Sequence, residues 1–313
     1  MSDAIRVFEV GPRDGLQNER QILATADKLW LIRSLRDAGI SRIEAGSFVR
    51  PDRVPQMADS DQLQGALSAA AISGEFYYLV PNLKGLERAM AAGVKHIAVF
   101  TAASESFNRK NIGISVAESL QAIQEMVDTA TRAGLQVRGY VSTAFGCPFE
   151  GRIPAVQAQK VIEALLALPM VQVSIGDTIG VASAQGVDAV IRPLLSQTSA
   201  NRLAVHFHDT RGTALANSLR SYELGIRTFD SSIGGLGGCP FAPGASGNLA
   251  TEDLVYYFKE MGVATGIDYR KLCEASLELH EKMGGSHSQA RVISSKALQA
   301  YQVNCQKNTA WDS

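Results

Sequence analysis

What the chain has little of narrows its class first. Four cysteines in 313 residues, Cys147, Cys239, Cys273 and Cys305, form no close pair such as C-x-x-C. That excludes a disulfide-stapled secreted scaffold and points to a reducing compartment. No apolar run reaches the roughly 18 residues that a membrane span needs. Residues 1–9 carry no basic stretch followed by an apolar one, so no secretory leader is read and a cytoplasmic location is the expectation. Excess charge of one sign is missing as well: 30 Lys and Arg face 31 Asp and Glu, for a net charge of -1. Such a balance gives no global drive toward nucleic acid or an anionic membrane surface, and neither is expected as a partner. With 46% hydrophobic and 19% charged residues, disorder is excluded. The chain is long enough to bury a large core without staples.

What is there is a repeat of short β-rich runs and helix-period segments. Eight strands are predicted, near residues 5–10, 40–45, 76–80, 95–101, 136–142, 171–176, 203–208 and 228–233. Residues 25–38 illustrate the helical intervals, with Leu29, Ile32, Leu35 and Ala38 on one face and Thr25 as the expected N-cap. Gly39, Gly93, Gly134 and Gly225 each stand between a helical stretch and a strand. There a glycine supplies the left-handed helix-ending conformation. Eight βα units in succession predict an α/β fold, a closed (β/α)8 TIM barrel. An open doubly wound sheet would normally carry a G-x-G-x-x-G loop after its first strand, and Gly11-Pro12-Arg13-Asp14-Gly15 does not fit that pattern. The chain is read as a single domain, with the barrel in residues 1–250 and a C-terminal helical extension in 251–313.

Alternation along a strand sorts side chains onto two faces. In the seventh strand Leu203, Val205 and Phe207 face the helices, leaving Ala204, His206 and His208 inside. In the fifth, Val137, Gly139 and Val141 point outward while Arg138, Tyr140 and Ser142 point inward. Glu9 shares a face with Ile5 and Val7, and Glu44 shares one with Arg42. The expectation is that these polar groups converge on the barrel interior near the strand C-termini, where barrel enzymes place their chemistry.

His206-Phe207-His208-Asp209 is the sharpest local signal. Two histidines at i and i+2 project in parallel and can bind one metal, or equally can be core histidines bonded to backbone. Closure of a barrel would bring strand one close to strand seven. Asp14 could then add a hard oxygen donor, although Arg-Asp is also a common turn or surface pair. Residues 234–248 hold six glycines and two prolines in 15 positions, which cannot be helix or strand interior. This is a long loop on the catalytic face, able to close over a ligand. Cys239 sits within it, placed to exchange a proton. Asn248 is either a neutral oxygen ligand or a cap for the helix beginning near Thr251.

At this point the chain resembles a known family. Phe8-Glu9-Val10-Gly11-Pro12-Arg13-Asp14-Gly15-Leu16-Gln17-Asn18-Glu19 looks like the signature of the hydroxymethylglutaryl-CoA lyases, members of the metal-dependent Claisen-type barrel enzymes. The similarity continues through Ile43-Glu44, Ser47-Phe48-Val49, Pro81-Asn82-Leu83-Lys84-Gly85, Arg138-Gly139-Tyr140-Val141-Ser142, Gly176-Asp177-Thr178-Ile179-Gly180, the histidine strand and the glycine loop. It spans residues 5 to 260. The more distant synthases carry a Gly-Glu-Arg-type motif after strand eight, where this chain has Gly-Gly-Cys-Pro.

The resemblance implies a divalent cation, Mg or Mn, held by Asp14, His206, His208 and Asn248. It implies Arg13 as the catalytic arginine, Cys239 as the loop cysteine, and Glu44 and Asp177 as acidic members of the site. It implies an acyl-CoA thioester substrate, a homodimer, and service in leucine degradation. The implied reaction cleaves 3-hydroxy-3-methylglutaryl-CoA to acetyl-CoA and acetoacetate. A base removes the tertiary hydroxyl proton, with Asp14, His206 or a relay through Asp177 as candidates. Arg13 can stabilise the thioester enolate and Cys239 can protonate it. Lys84, Arg109 and Lys110 follow predicted strands and are either contacts for CoA phosphates or solvated loop residues. One departure is Arg211, where family members often carry an aromatic residue, with Thr213 at a position often glutamine. Rival readings are the same reaction on a longer 3-substituent, a condensing synthase or aldolase on the same barrel, and a silent metal-binding scaffold.

Overall fold

The computed structural model describes residues 4–238, 247–284 and 290. Eight parallel strands close a barrel: β1 (Arg6–Glu9), β2 (Arg42–Ser47), β3 (Glu75–Leu79), β4 (His96–Ala102), β5 (Gln136–Ser142), β6 (Gln172–Asp177), β7 (Leu203–Phe207) and β8 (Thr228–Ser231). All eight expected strands are found. Closure is the pairing of β1 with β8, from Arg6 beside Thr228 to Glu9 beside Ser231. A two-stranded hairpin, Gly146–Cys147 with Gly151–Arg152, decorates the loop after β5.

The outer ring comprises α1 (Thr25–Asp37), α2 (Ser60–Ala69), α3 (Leu83–Ala91), α4 (Glu105–Ile112), α5 (Val116–Arg132), α6 (Ala155–Leu166), α7 (Ala184–Leu194), α8 (Ala214–Glu223) and α9 (Thr251–Glu260). The four expected helix-ending glycines all have positive φ, between 77° and 100°. Leu31, Ile32 and Leu35 of α1 are fully buried, each contributing about 1.5–3 kcal/mol. Thr25 does not cap this helix as expected: Ala24 holds the cap position, and the Thr25 hydroxyl donates to Asp59 Oδ2 at 2.8 Å. The acceptor is supplied by the start of α2, which α1 alone could not reveal.

Within the span read as an extension, α9 packs as a ring helix, its Phe258 ring 5.3 Å from Phe229 of β8 and 5.3 Å from Tyr222 of α8. Beyond it α10 (Tyr269–Lys282) lies against α1, with Lys282 Nζ 3.0 Å from Asp27. Among the described residues, no helix is long and apolar enough to cross a membrane.

Two cores result. The larger, between strands and helices, takes the aliphatic faces, including Leu203, Val205 and Phe207 of β7. Inside the barrel, Phe8, Val10 and Tyr77 form one cluster and Leu79, Ala98 and Tyr140 another. Arg138, 1% exposed, lies between them with its guanidinium 3.9 Å from the Phe8 ring centroid. Glu9 departs from expectation. It does share the face of Ile5 and Val7, but that face is the outward one. Its carboxylate accepts from Gly11 N (2.7 Å), Ile233 N (2.8 Å) and Thr251 Oγ1 (2.6 Å), beneath α9 and away from the barrel interior. Alternation groups residues by face; only packing decides which face is inside.

Candidate active site

The strands deliver the site at their C-terminal ends. After β1 the chain makes a wide helical turn, Gly11–Gly15, with Pro12 in its first turn. Such turns recur at functional sites. This one aims Arg13 and Asp14 across the barrel mouth. The Arg13 guanidinium is pinned on two sides: Nε donates to Glu44 Oε2 at 2.6 Å and Nη1 to Asp14 Oδ1 at 2.7 Å. Burial works against its charge, but Glu44 and Asp14 outweigh that and hold it firmly cationic. Asp14 is ionised in turn. Burial would raise its pKa, yet Arg13, the two histidines and an Asn248 hydrogen bond carry it below the usual carboxylate range.

His206 and His208 come from the end of β7 with the parity expected of them. Ligand atoms of Asp14, His206 and His208 all lie within 4.8 Å of one another, which is metal-binding spacing. Asn248 joins through the loop. After the glycine segment the chain returns beside the end of β7, Leu249 N donating to Phe207 O at 3.0 Å and Asn248 bridging His208. Both hydrogens of the Asn248 carboxamide are used, on Asp14 Oδ2 and Leu236 O, each at 2.9 Å. Its Oδ1 and the Nδ1 of His208 are buried with no hydrogen-bond partner. A buried carbonyl oxygen and an imidazole nitrogen left over beside an ionised carboxylate are costly unless something takes them up. Burial, reinforced by His206, lowers His208 to about 4, so the ring is a neutral donor. The donor set of one carboxylate, one amide oxygen and two imidazoles fits a divalent cation.

Two expected residues stand apart. Asp177 spends both oxygens on the backbone, Oδ1 on Val181 N (2.9 Å) and Oδ2 on Ala182 N (3.0 Å), and so ties down the loop after β6. Burial nevertheless raises its pKa to about 6. Cys239 lies outside the described residues. Arg211 does not line the cleft; Nη1 donates to the carbonyls of Ile179 (2.9 Å) and Gly180 (3.1 Å), joining the loops after β6 and β7.

Above the cluster opens a cleft of about 1060 Å³ whose floor includes Arg13, Asp14, His206 and His208. Its rim carries Arg50, Arg53, Lys84, Arg88, Arg109 and Lys110. Lys84, Arg109 and Lys110 were singled out by their place after predicted strands. Arg50, Arg53 and Arg88 were not, since nothing in their local sequence separates them from surface charge. A further omission is Asp230. It accepts from Arg138 Nη2 at 2.5 Å and from Ser174 Oγ at 2.7 Å, and lies 3.4 Å from His206 Nδ1. Inward parity in β8 was the available clue.

The family model described as HMGL-like matches residues 4–278. The chain is 47% identical over 272 residues to the mitochondrial hydroxymethylglutaryl-CoA lyase of Bos taurus, covering 87% of this chain and 83% of that one. It superposes on the HMG-CoA lyase of Bacillus subtilis with a TM-score of 0.89 at 42% identity, covering 96% of this chain and 100% of the other. An HMG-CoA lyase from Acinetobacter baumannii, solved with coenzyme A and 3-methylmalate, gives a TM-score of 0.88 at 39% identity, covering 95% and 96%.

Proposed function

The chain belongs to the HMGL-like family, and from that premise we propose that it cleaves 3-hydroxy-3-methylglutaryl-CoA to acetyl-CoA and acetoacetate with the help of a divalent cation. The observation that carries the proposal is the Asp14–His206–His208 cluster on the floor of a cation-rimmed cleft. The cation, Mg or Mn, would be held by Asp14, His206, His208 and Asn248. When bound it supplies Lewis-acid polarisation of the substrate oxygens.

The remaining chemistry falls to the chain. Asp14 or His206 accepts the tertiary hydroxyl proton. A relay through Asp177 is the third candidate: each of its oxygens accepts one backbone hydrogen bond and keeps a lone pair, and burial raises its pKa to about 6. The C–C bond breaks as the ketone forms, and its electron pair becomes the thioester enolate. Arg13, held charged by Glu44 and Asp14 and facing the cleft, stabilises that negative charge. Cys239 on the loop protonates the enolate carbon to give acetyl-CoA. The rim cations face the CoA phosphates. Arg211, engaged with two backbone carbonyls, offers no reason to expect a different 3-substituent. A cytoplasmic homodimer acting in leucine degradation completes the proposal.

The test is acetyl-CoA release from 3-hydroxy-3-methylglutaryl-CoA after chelation, with and without added Mg or Mn, beside a thioester bearing a longer 3-substituent. Cation-dependent turnover that favours the methyl compound is the expected result. Preference for the bulkier thioester, or turnover unaffected by chelation, would overturn the proposal.

A further inference from the structure

The barrel interior contains an ion pair that the chemistry above does not use. Arg138 and Asp230 are 1% and 2% exposed. They meet through two hydrogen bonds, Nη2 to Oδ1 at 2.5 Å and Nη1 to Oδ2 at 3.1 Å. Ser174 Oγ donates a third, to Oδ2 at 2.7 Å. The guanidinium is itself immobilised. It lies 3.9 Å from the Phe8 ring centroid and 4.7 Å from that of Tyr140, and its Nε reaches Gln172 Oε1 at 3.4 Å. Gln172 is anchored to Thr228 Oγ1 at 3.1 Å. The carboxylate of Asp230 is therefore fixed in position at the centre of the fold.

This fixed anion faces one side chain of the site. Parallel register sets Asp230 beside His206, both on inward positions. His206 Nδ1 is buried without a hydrogen-bond partner, and Asp230 Oδ2, at 3.4 Å, is the carboxylate oxygen it faces. The ring's rotation is limited by Tyr140, edge-on at 86° with centroids 6.4 Å apart. A buried ion pair is often no more stabilising than well-packed apolar residues of the same volume. Its placement beneath a candidate ligand gives it a different use. Histidine ligands commonly donate their second ring nitrogen to a carboxylate, which fixes the tautomer and the ring plane.

We infer that Asp230 is a positioning residue for the cation site: held by Arg138 and Ser174, it takes the Nδ1–H of His206 and so presents Nε2 to the cation. The inference deepens the reading of the Asp14–His206–His208 cluster as a cation site and rests on it; with both ring nitrogens engaged, it also removes His206 from the candidates for accepting the hydroxyl proton. Arg138 acts one step further out, by holding Asp230.

Two measurements test it. The first uses the unaltered protein: nitrogen-15 NMR of the histidine rings, five in the chain, with His206 assigned by its loss in His206→Gln. The expected result is the Nδ1–H tautomer for His206, with and without Mg. The Nε2–H tautomer would overturn the inference, and this reading does not depend on any Asp230 variant folding. The second is Mn affinity of Asp230→Asn, followed by the free-Mn EPR signal. Loss of this kind of outer support typically weakens metal binding by about 10–100-fold, and that is the expected range for the folded variant. Affinity within twofold of the parent would overturn it, whatever happens to the Tm. Failure of the parent protein to bind Mn would sink the cation reading and this inference together. Mn binding that weakens as expected, without cleavage of the thioester, would uphold Asp230 and sink only the proposed substrate.

Discussion

Gly247→Ala is expected to damage the cation site without touching a ligand. Gly247 begins the return of the glycine loop, where it passes over the outgoing arm. A methyl group there would overlap the Gly237 carbonyl oxygen and stand 2.6 Å from that of Gly235. Both are backbone atoms, so no flexible side chain can yield. One arm must move by on the order of 2 Å before a normal contact near 3.5 Å is restored. The next residue is Asn248, whose carboxamide bonds to Asp14 and Leu236 at 2.9 Å each. Losing both costs about 1–3 kcal/mol, and displacing the amide oxygen removes a cation donor. The expected outcome is a Tm lower by several degrees, Mn binding weaker by about 10–100-fold, and kcat reduced by on the order of 100-fold. Thermal unfolding, EPR titration and single-substrate kinetics on one preparation provide the three readings. Gly65→Ala is the control. It sits exposed in α2 with open space around an added methyl, and should gain up to about 1 kcal/mol with unchanged Mn affinity. A Gly247→Ala protein with parental Mn affinity and kcat would refute the claim that this crossing sets the ligand geometry.

Arg13→Met should lower turnover by on the order of 10²–10³-fold or more. Mn binding should persist, since Asp14 keeps Gln17 and Asn248 as partners; near-normal kcat would remove Arg13 from the chemistry. Glu252 is fully buried, both oxygens accepting from Gly234 N at 2.9 and 3.0 Å, and burial raises its pKa from 4.5 to about 8. Between those values the folded state binds more protons than the unfolded one, so this group's contribution to stability falls as pH rises, by on the order of 3–5 kcal/mol in all. Thermal unfolding of Glu252→Gln should therefore show a flatter Tm profile from pH 5 to 8; parallel profiles for variant and parent would exclude the effect. The cationic rim should make kcat/KM for the CoA thioester fall as salt rises from about 50 to 300 mM, with kcat little changed. Insensitivity to salt would mean that the rim does not meet the CoA phosphates.

Much of the architecture was legible because it is written in short-range pattern. The four helix-ending glycines marked their junctions, since the left-handed turn is a property of one residue. The parity of Ala204, His206 and His208 against Leu203, Val205 and Phe207 needed only the twofold repeat of a strand. Arg13, Asp14 and the histidines were identifiable as candidates from residue type and from their motifs. Glu9 shows the limit of such reasoning: alternation grouped it correctly with Ile5 and Val7 but left open which side of the sheet was the interior. The rim residues Arg50, Arg53 and Arg88 had no local mark at all.

The sequence by itself determined the repeating βα order, the closed barrel as the expected fold and the residue types available for chemistry. Tertiary structure alone decided who meets whom. Asn248 reaches Asp14 across 234 residues because the glycine loop turns back beside β7. Asp230 faces His206 because closure fixes the register of β8 against β7. Asp177, for all its motif, was turned to the backbone of its own loop. Periodicity is set by the geometry of a few neighbouring residues. The contacts that make a site depend on ring closure and burial, which no short stretch of chain contains.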